Sequence, residues 1–185
     1  RYLNHHPSLS YWFAPDYVGS GSQAPRPDEG LREHFLELDI ALEQMARRTF
    51  ADPEFIWSSL APFLTDASGN SHRSELNIEK LWNPFFGDRG RAGLVELRPF
   101  RMARDVRHFS ALAALVRALV ARLMQHPFEA PLIDWGDRLH DRFALPFFLA
   151  QDLGAVLGDL ESTGLGLGAT TACLLQDESG WEIGS

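Results

Sequence analysis

Cysteine is almost missing. Cys173 stands alone in the chain, which excludes an intramolecular disulfide and any cysteine-rich zinc site and fits a reducing compartment, with the cytoplasm as the expected location. No apolar run approaches the ~18 residues of a membrane-spanning helix, and the first residues do not read as a signal peptide. A soluble chain without a membrane partner is expected. Positive charge is also short: 17 Lys and Arg face 25 Asp and Glu, a net charge of −8. A nucleic acid therefore gains no electrostatic support as a partner. Familiar fingerprints are absent too. "GSGSQAPRPDEG" at 19–30 lacks the G-x-x-x-x-G-K-[ST] of a P-loop, and "GLGLG" at 164–168 does not spell G-x-G-x-x-G. His5, His6 and His72 show no H-x-x-x-H or H-E-x-x-H spacing, which argues against zinc.

What remains is 185 residues, 45% hydrophobic, enough for one domain with a core of ordinary size. The chain opens at Arg1 without an initiator methionine, and we expect a piece of a longer polypeptide. Residues 1–30 are rich in turn formers, although Leu9, Tyr11, Trp12, Phe13, Tyr17 and Val18 want burial. This predicts a structured loop with a short strand around Ser8–Phe13. Over 36–43, Leu36, Leu38, Ile40 and Leu42 alternate with polar residues and alanine, a period of two that favours a strand. Propensity, with Leu38, Leu42 and Met45, supports a helix as the alternative.

Asp52 and Pro53 open a short helix in "DPEFIWSSLAPFL". Strands follow at 72–81 and 92–100, joined by a decorated hairpin loop. "HFSALAALVRALVARLMQ", 108–125, is the clearest helix. Another helix or two, broken at Pro146, should occupy 137–161. Residues 161–185 form a Gly-rich tail with little pattern. The expected fold is α+β: a small, mostly antiparallel sheet of three to five strands, backed on its apolar face by the 108–125 helix.

The stretch "TDASGNSHRSELNIEKLW" carries the chemistry of interest. Side chains alternate along a strand, so Arg73, Glu75, Asn77 and Glu79 share one face. If the second strand pairs with its apolar face in common, Glu96 and Arg98 join them. A strand at 36–43 would add Glu37, Asp39 and Glu43. Two readings stay open. One is a solvated face with ordinary cross-strand ion pairs, each contributing ~0.2–1 kcal/mol. The other is a hard-cation site, in which carboxylate and amide oxygens hold Mg²⁺ or Mn²⁺ and arginines hold phosphate bidentately. Elsewhere, Asp137, Asp141, Arg138 and Arg142 fall at i, i+4 and would pair among themselves. Cys173, in "TTACLL", reads as core or a buried edge rather than a nucleophile.

Four blocks, "HPSLSYWFAPDYVGSGSQAPRPDEG", "GNSHRSELNIEKLW", "GLVELRPFRM" and "LHDRFALPFFLAQDL", together resemble a bacterial family of amidoligases, from about His5 to Leu160. Its members are often fused C-terminal to a transglutaminase-like domain, and it is held to be related to glutamine synthetase-like carboxylate–amine ligases. The resemblance implies part of an antiparallel sheet that binds ATP and Mg²⁺ (or Mn²⁺) and joins a carboxylate to an amine through an acyl phosphate. It puts Glu75, Glu79 and Glu96 on the metal, with Arg73 and Arg98, and less strongly Arg26, on phosphoryl oxygens. His72 would act in proton transfer or as a ligand. The implied partners are carboxylate and amine substrates, the rest of a longer chain and a second copy of the subunit. From another class comes a rival: a non-catalytic module that packs against that longer chain.

Overall fold

The computed structural model describes residues 1–14, 17–48 and 52–177. Its elements are α1 (Tyr2–His5), α2 (Ser8–Tyr11), α3 (Arg32–Ala46), α4 (Pro53–Leu60), β1 (Leu76–Asn77), β2 (Glu96–Leu97), α5 (Val106–Gln125), α6 (Arg138–Phe143), α7 (Pro146–Ser162) and α8 (Ala169–Gln176). Short 3₁₀ segments lie at Pro27–Glu29, Ala61–Phe63 and Pro84–Arg91. The fold is α+β; the described residues are 56% helical with one antiparallel strand pair. No helix among the described residues is long and apolar enough to cross a membrane.

Local signals start the helices. Asp52 accepts from the Phe55 amide at 2.8 Å at the head of α4, and Asp105 from the His108 amide at 2.8 Å at the head of α5. Each satisfies an amide that the first turn leaves without an intrahelical partner. Pro146 sits at the first position of α7, where its missing N–H is harmless. The core gathers Leu9 and Trp12 from the first segment with Leu115 of α5, Leu153 and Val156 of α7 and Leu175 of α8.

Several expectations fail for physical reasons. The strand expected around Ser8–Phe13 is the one-turn helix α2, because Asp152 of α7 accepts from the Ser8 amide at 3.0 Å and fixes its start. Leu9, Tyr11, Trp12 and Phe13 are buried as anticipated, but Tyr17 is exposed. The strand expected at 36–43 is helix α3: Phe35 and Leu38 are buried while Leu36 and Ile40 face solvent. Helical propensity overrode an accidental alternation. Among the described residues the sheet has two strands rather than three to five. Helix α5 has α8 and α7 as its main packing partners, not the strand pair.

The tail beyond 161 carries α8, so it is patterned further than its glycines suggested. "GLGLG" ends α7 and leads into α8. Gly164 takes φ +75°, and the Leu165 amide reaches back to the Leu160 carbonyl at 2.9 Å, a Schellman cap. Cys173 is exposed rather than buried.

Candidate functional site

The strands pair with Leu76 opposite Leu97 and Asn77 opposite Glu96, the register that puts their apolar residues on one face. The Arg98 amide donates to the Glu75 carbonyl at 2.9 Å, so Arg98 flanks Glu75 at the next rung. Polar parity therefore brings Glu75, Asn77, Glu96 and Arg98 to one side. Burial then splits the row in two.

At one end is a buried cluster. The Glu75 amide donates to the Pro25 carbonyl at 3.0 Å, which fastens the 25–30 loop to β1. Arg26 on that loop is 1% exposed. Its Nε and Nη2 hold Asp28 bidentately at 2.8 and 2.9 Å, and its Nη groups reach the Leu3 and Asn4 carbonyls at 3.0 and 3.1 Å. Glu75 is buried beside it: Oε2 accepts from the Ser10 hydroxyl and lies 4.0 Å from Arg26 Nη1. Burial pushes the Glu75 carboxyl above the usual carboxylate range, because Arg26 already belongs to Asp28. Glu29 accepts from the Tyr11 hydroxyl and the Arg26 amide and lies 3.2 Å from His140 Nε2. Burial and Glu29 both push the Tyr11 phenol up.

At the other end the row is open. Glu96 sits between Lys80 at 3.4 Å and Arg98 at 3.0 Å, its side chain 42% exposed. Arg98 spends one donor on that pair, and its buried Nε has no partner. Glu79 accepts from the Ser71 hydroxyl and lies 3.6 Å from His72 Nε2. Asn77, between the two ends, is itself buried, and its Oδ1 accepts from the Glu79 amide at 3.1 Å, turning the chain out of the strand.

Arg73 points elsewhere. Its Nη2 donates to the Gly21 and Ser22 carbonyls at 2.8 and 2.9 Å, and its Nη1 pairs with Asp66 at 3.3 Å, with Nε left over. Hydrogen bonds from Ser68, then Asn70, hold the Asp66 carboxyl below its usual range. The Gly/Ser-rich segment thus turns carbonyls toward a guanidinium, where a phosphate loop would offer N–H groups.

The structure, then, brings Arg26 to Glu75, Arg98 to Glu96 and His72 to Glu79, and it ties Arg73 to Asp66. It does not gather Glu75, Glu79 and Glu96: among the described residues no three His, Cys, Asp or Glu side chains group as a metal cage. Mg²⁺ does not need one. It commonly takes one or two carboxylates together with nucleotide oxygens and water, a mode that Glu96 beside Arg98 fits. The unspent Arg98 Nε fits an anion as well.

Sequence reasoning missed Ser10, Asp28 and Glu29 as parts of the buried cluster. The R-P-D-E spelling at 26–29, with an arginine two residues before an aspartate, was the available signal. The i, i+4 pairing expected over 137–142 does not form. Arg138 bonds the Asp134 and Trp135 carbonyls, and Arg142 lies over the rings of Phe143 and Phe148. His5 and His6 diverge, to the Pro131 carbonyl at 2.7 Å and to Asp152 at 3.0 Å.

The family profile described as "Putative amidoligase enzyme (DUF2126)" matches residues 1–172, nearly the whole chain and well into α8. No curated protein and no solved structure matches it.

Proposed function

The chain belongs to this amidoligase family, and from that premise we propose that it takes part in joining a carboxylate to an amine, driven by ATP. ATP would supply the phosphoryl group that activates the carboxylate as an acyl phosphate; the amine then displaces phosphate and forms the amide. The observation that carries the reading is the open end of the polar row, where a half-exposed carboxylate, Glu96, adjoins a guanidinium with an unspent buried donor, Arg98.

In this reading Glu96 would hold Mg²⁺, with nucleotide oxygens and water completing its shell, and Arg98 would steady charge on phosphoryl oxygens; Glu79 stays with Ser71 and His72. His72, 3.6 Å from Glu79, would act in proton transfer or as a ligand at the rim. Arg73, Arg26 and Glu75 act behind this edge: Arg73 anchors the 19–24 loop to it, while the Arg26 cluster fixes the end of β1. The strand pair would form one edge of a glutamine synthetase-like sheet, completed by further chain, such as a transglutaminase-like fusion partner, or by a second copy. The cytoplasm, which supplies ATP, is the proposed location.

The test is calorimetric titration with Mg²⁺ and a non-hydrolysable ATP analogue on the wild type, Glu96→Gln and Arg98→Ala. We expect binding that weakens at least about tenfold in either variant, the loss of one charge-assisted contact. A folded wild type that binds nothing, both here and in a longer polypeptide that includes it, would sink the reading. That silence would favour a packing module, for which the self-contained Arg26 cluster speaks.

A further inference from the structure

A cleft opens between α1, α3, α4 and β1. Its walls are hydrocarbon: Phe35, Leu38 and Leu42 from α3, Leu60 and Leu64 from the α4 region, and Leu76 from β1. Its polar end holds Asn4, Asp28 and Glu75. These groups are not equally satisfied. Asp28 takes both arms of Arg26 and the Asn4 amide at 3.0 Å. Asn4 donates to Asp28 and the Ile133 carbonyl, and it accepts from the Ile133 amide.

Glu75 is the exception. It is 3% exposed, and its Oε2 is served by Ser10 and, distantly, by Arg26. The hydrogen bond from Ser10 and the approach of Arg26 both fall on Oε2, and Oε1 is not among the fully buried unpartnered atoms, which leaves it some access to the cleft that Glu75 lines. Arg26 supplies one positive charge to two carboxylates. An ionised Glu75 is therefore one cation short, at the end of an apolar cleft. A carboxylate oxygen that opens on a hydrocarbon cleft is poorly served by water, so an arriving cation gains more from it than from a surface carboxylate.

We propose that this cleft seats the amine co-substrate of the ligation and selects primary amines that carry a bulky apolar group. The ammonium would meet Glu75 Oε1, and the hydrocarbon would lie along Leu38, Leu42 and Leu60. This rests on the amidoligase reading for its catalytic meaning, while the binding itself does not. Free ammonium leaves the leucine walls wet, and an alcohol of the same shape leaves Glu75 without its cation, so both should bind more weakly. Burying the hydrocarbon group removes apolar surface from water in proportion to its length, so the apolar part contributes most of the affinity and Glu75 the choice of head group.

The experiment is calorimetry without nucleotide. Isoamylamine, phenethylamine, ammonium chloride and the matching alcohols are titrated into the wild type, Glu75→Gln and Leu42→Trp, each first checked for folding by circular dichroism. We expect the two amines to bind, their alcohols and ammonium to bind at least about tenfold more weakly, Glu75→Gln to abolish the amine–alcohol difference, and Leu42→Trp to fill the cleft and abolish binding. If Glu75→Gln unfolds, Leu42→Trp and the amine–alcohol comparison on the wild type still decide. Equal binding of amines and alcohols, or no amine binding, overturns the proposal. Mg²⁺–ATP analogue binding measured in parallel separates the two claims. Nucleotide binding without amine binding refutes the cleft alone; amine binding without nucleotide binding refutes the ligase reading and leaves an amine site.

Discussion

Glu75 and Glu96 stand on the same face of one strand pair, and their surroundings could hardly differ more. Glu75 is 3% exposed and shares a buried arginine with Asp28. Glu96 lies between two cations in water, its side chain 42% exposed. Parity put both on that face; what covers each end of the strands decided the rest. The 25–30 loop and α2 close over Glu75, while nothing comparable among the described residues covers Glu96. A charge pair in the low-dielectric interior is both stronger and harder to lose than one at the surface. The buried end is therefore built to hold shape, and the open end is free to exchange its partners for a ligand.

The widest test of this contrast is Arg26→Met, which leaves Asp28 and Glu75 buried without their shared cation. Urea denaturation should show a loss of about 3–5 kcal/mol, against less than ~1 kcal/mol for Arg98→Met. Similar losses for the two would break the comparison.

Asp159 supplies a second reference, an ion pair of intermediate burial. Burial alone would raise its carboxyl, but hydrogen bonds from Arg122 and Tyr2 outweigh that and hold it below the usual range. A depressed carboxyl contributes stability above its unfolded value, near ~3.9, and loses it as pH falls through the folded value. Asp159→Asn should cost about 1–2 kcal/mol at neutral pH, and thermal melts across the acid range should show that deficit closing.

Glu75 has the opposite sign. Its folded carboxyl is raised by burial, so the folded state keeps its proton while the unfolded state, near ~4.3, has begun to release it. The raised carboxyl lowers stability as pH climbs from the unfolded value toward the folded one. Glu75→Gln cannot show this decline. Its melting temperature relative to wild type should therefore rise between acid and neutral pH; a flat difference would mean that Glu75 is not effectively desolvated. The smallest effect belongs to Glu96→Gln, which should stay within ~0.5 kcal/mol of wild type at neutral pH. Its importance should appear only in Mg²⁺–nucleotide binding.

Legibility followed the range of the interaction. The Asp52–Pro53 start and the long Ala/Leu/Val helix were readable because caps and helical periodicity are local. So was the break at Pro146. The shared polar face of the two strands was also readable, since matching two apolar faces leaves one parity; the register, Leu76 opposite Leu97, was not. The strand lengths were not: only two residues on each side form the ladder, and the expectation for 36–43 took Leu36 and Ile40 for core residues when both are exposed. For the candidate site, residue types came through and partnerships did not. Arg26 suggested phosphate binding, yet its donors close on Asp28 and the backbone at residues 3 and 4, more than 20 positions away.

By itself the sequence determined the family, the positions of helices α4 to α7, the shared face of the polar row and its acidic character. All of these depend on spacing and composition within short windows. Only the tertiary structure decided which carboxylate is buried, which arginine is spent and which retains a free donor, because each depends on what the distant chain lays over a given end of a strand pair. Folding separated Glu75 from Glu96, set Ser10 and Arg26 against Glu75, and placed Glu75 at the polar end of the leucine cleft.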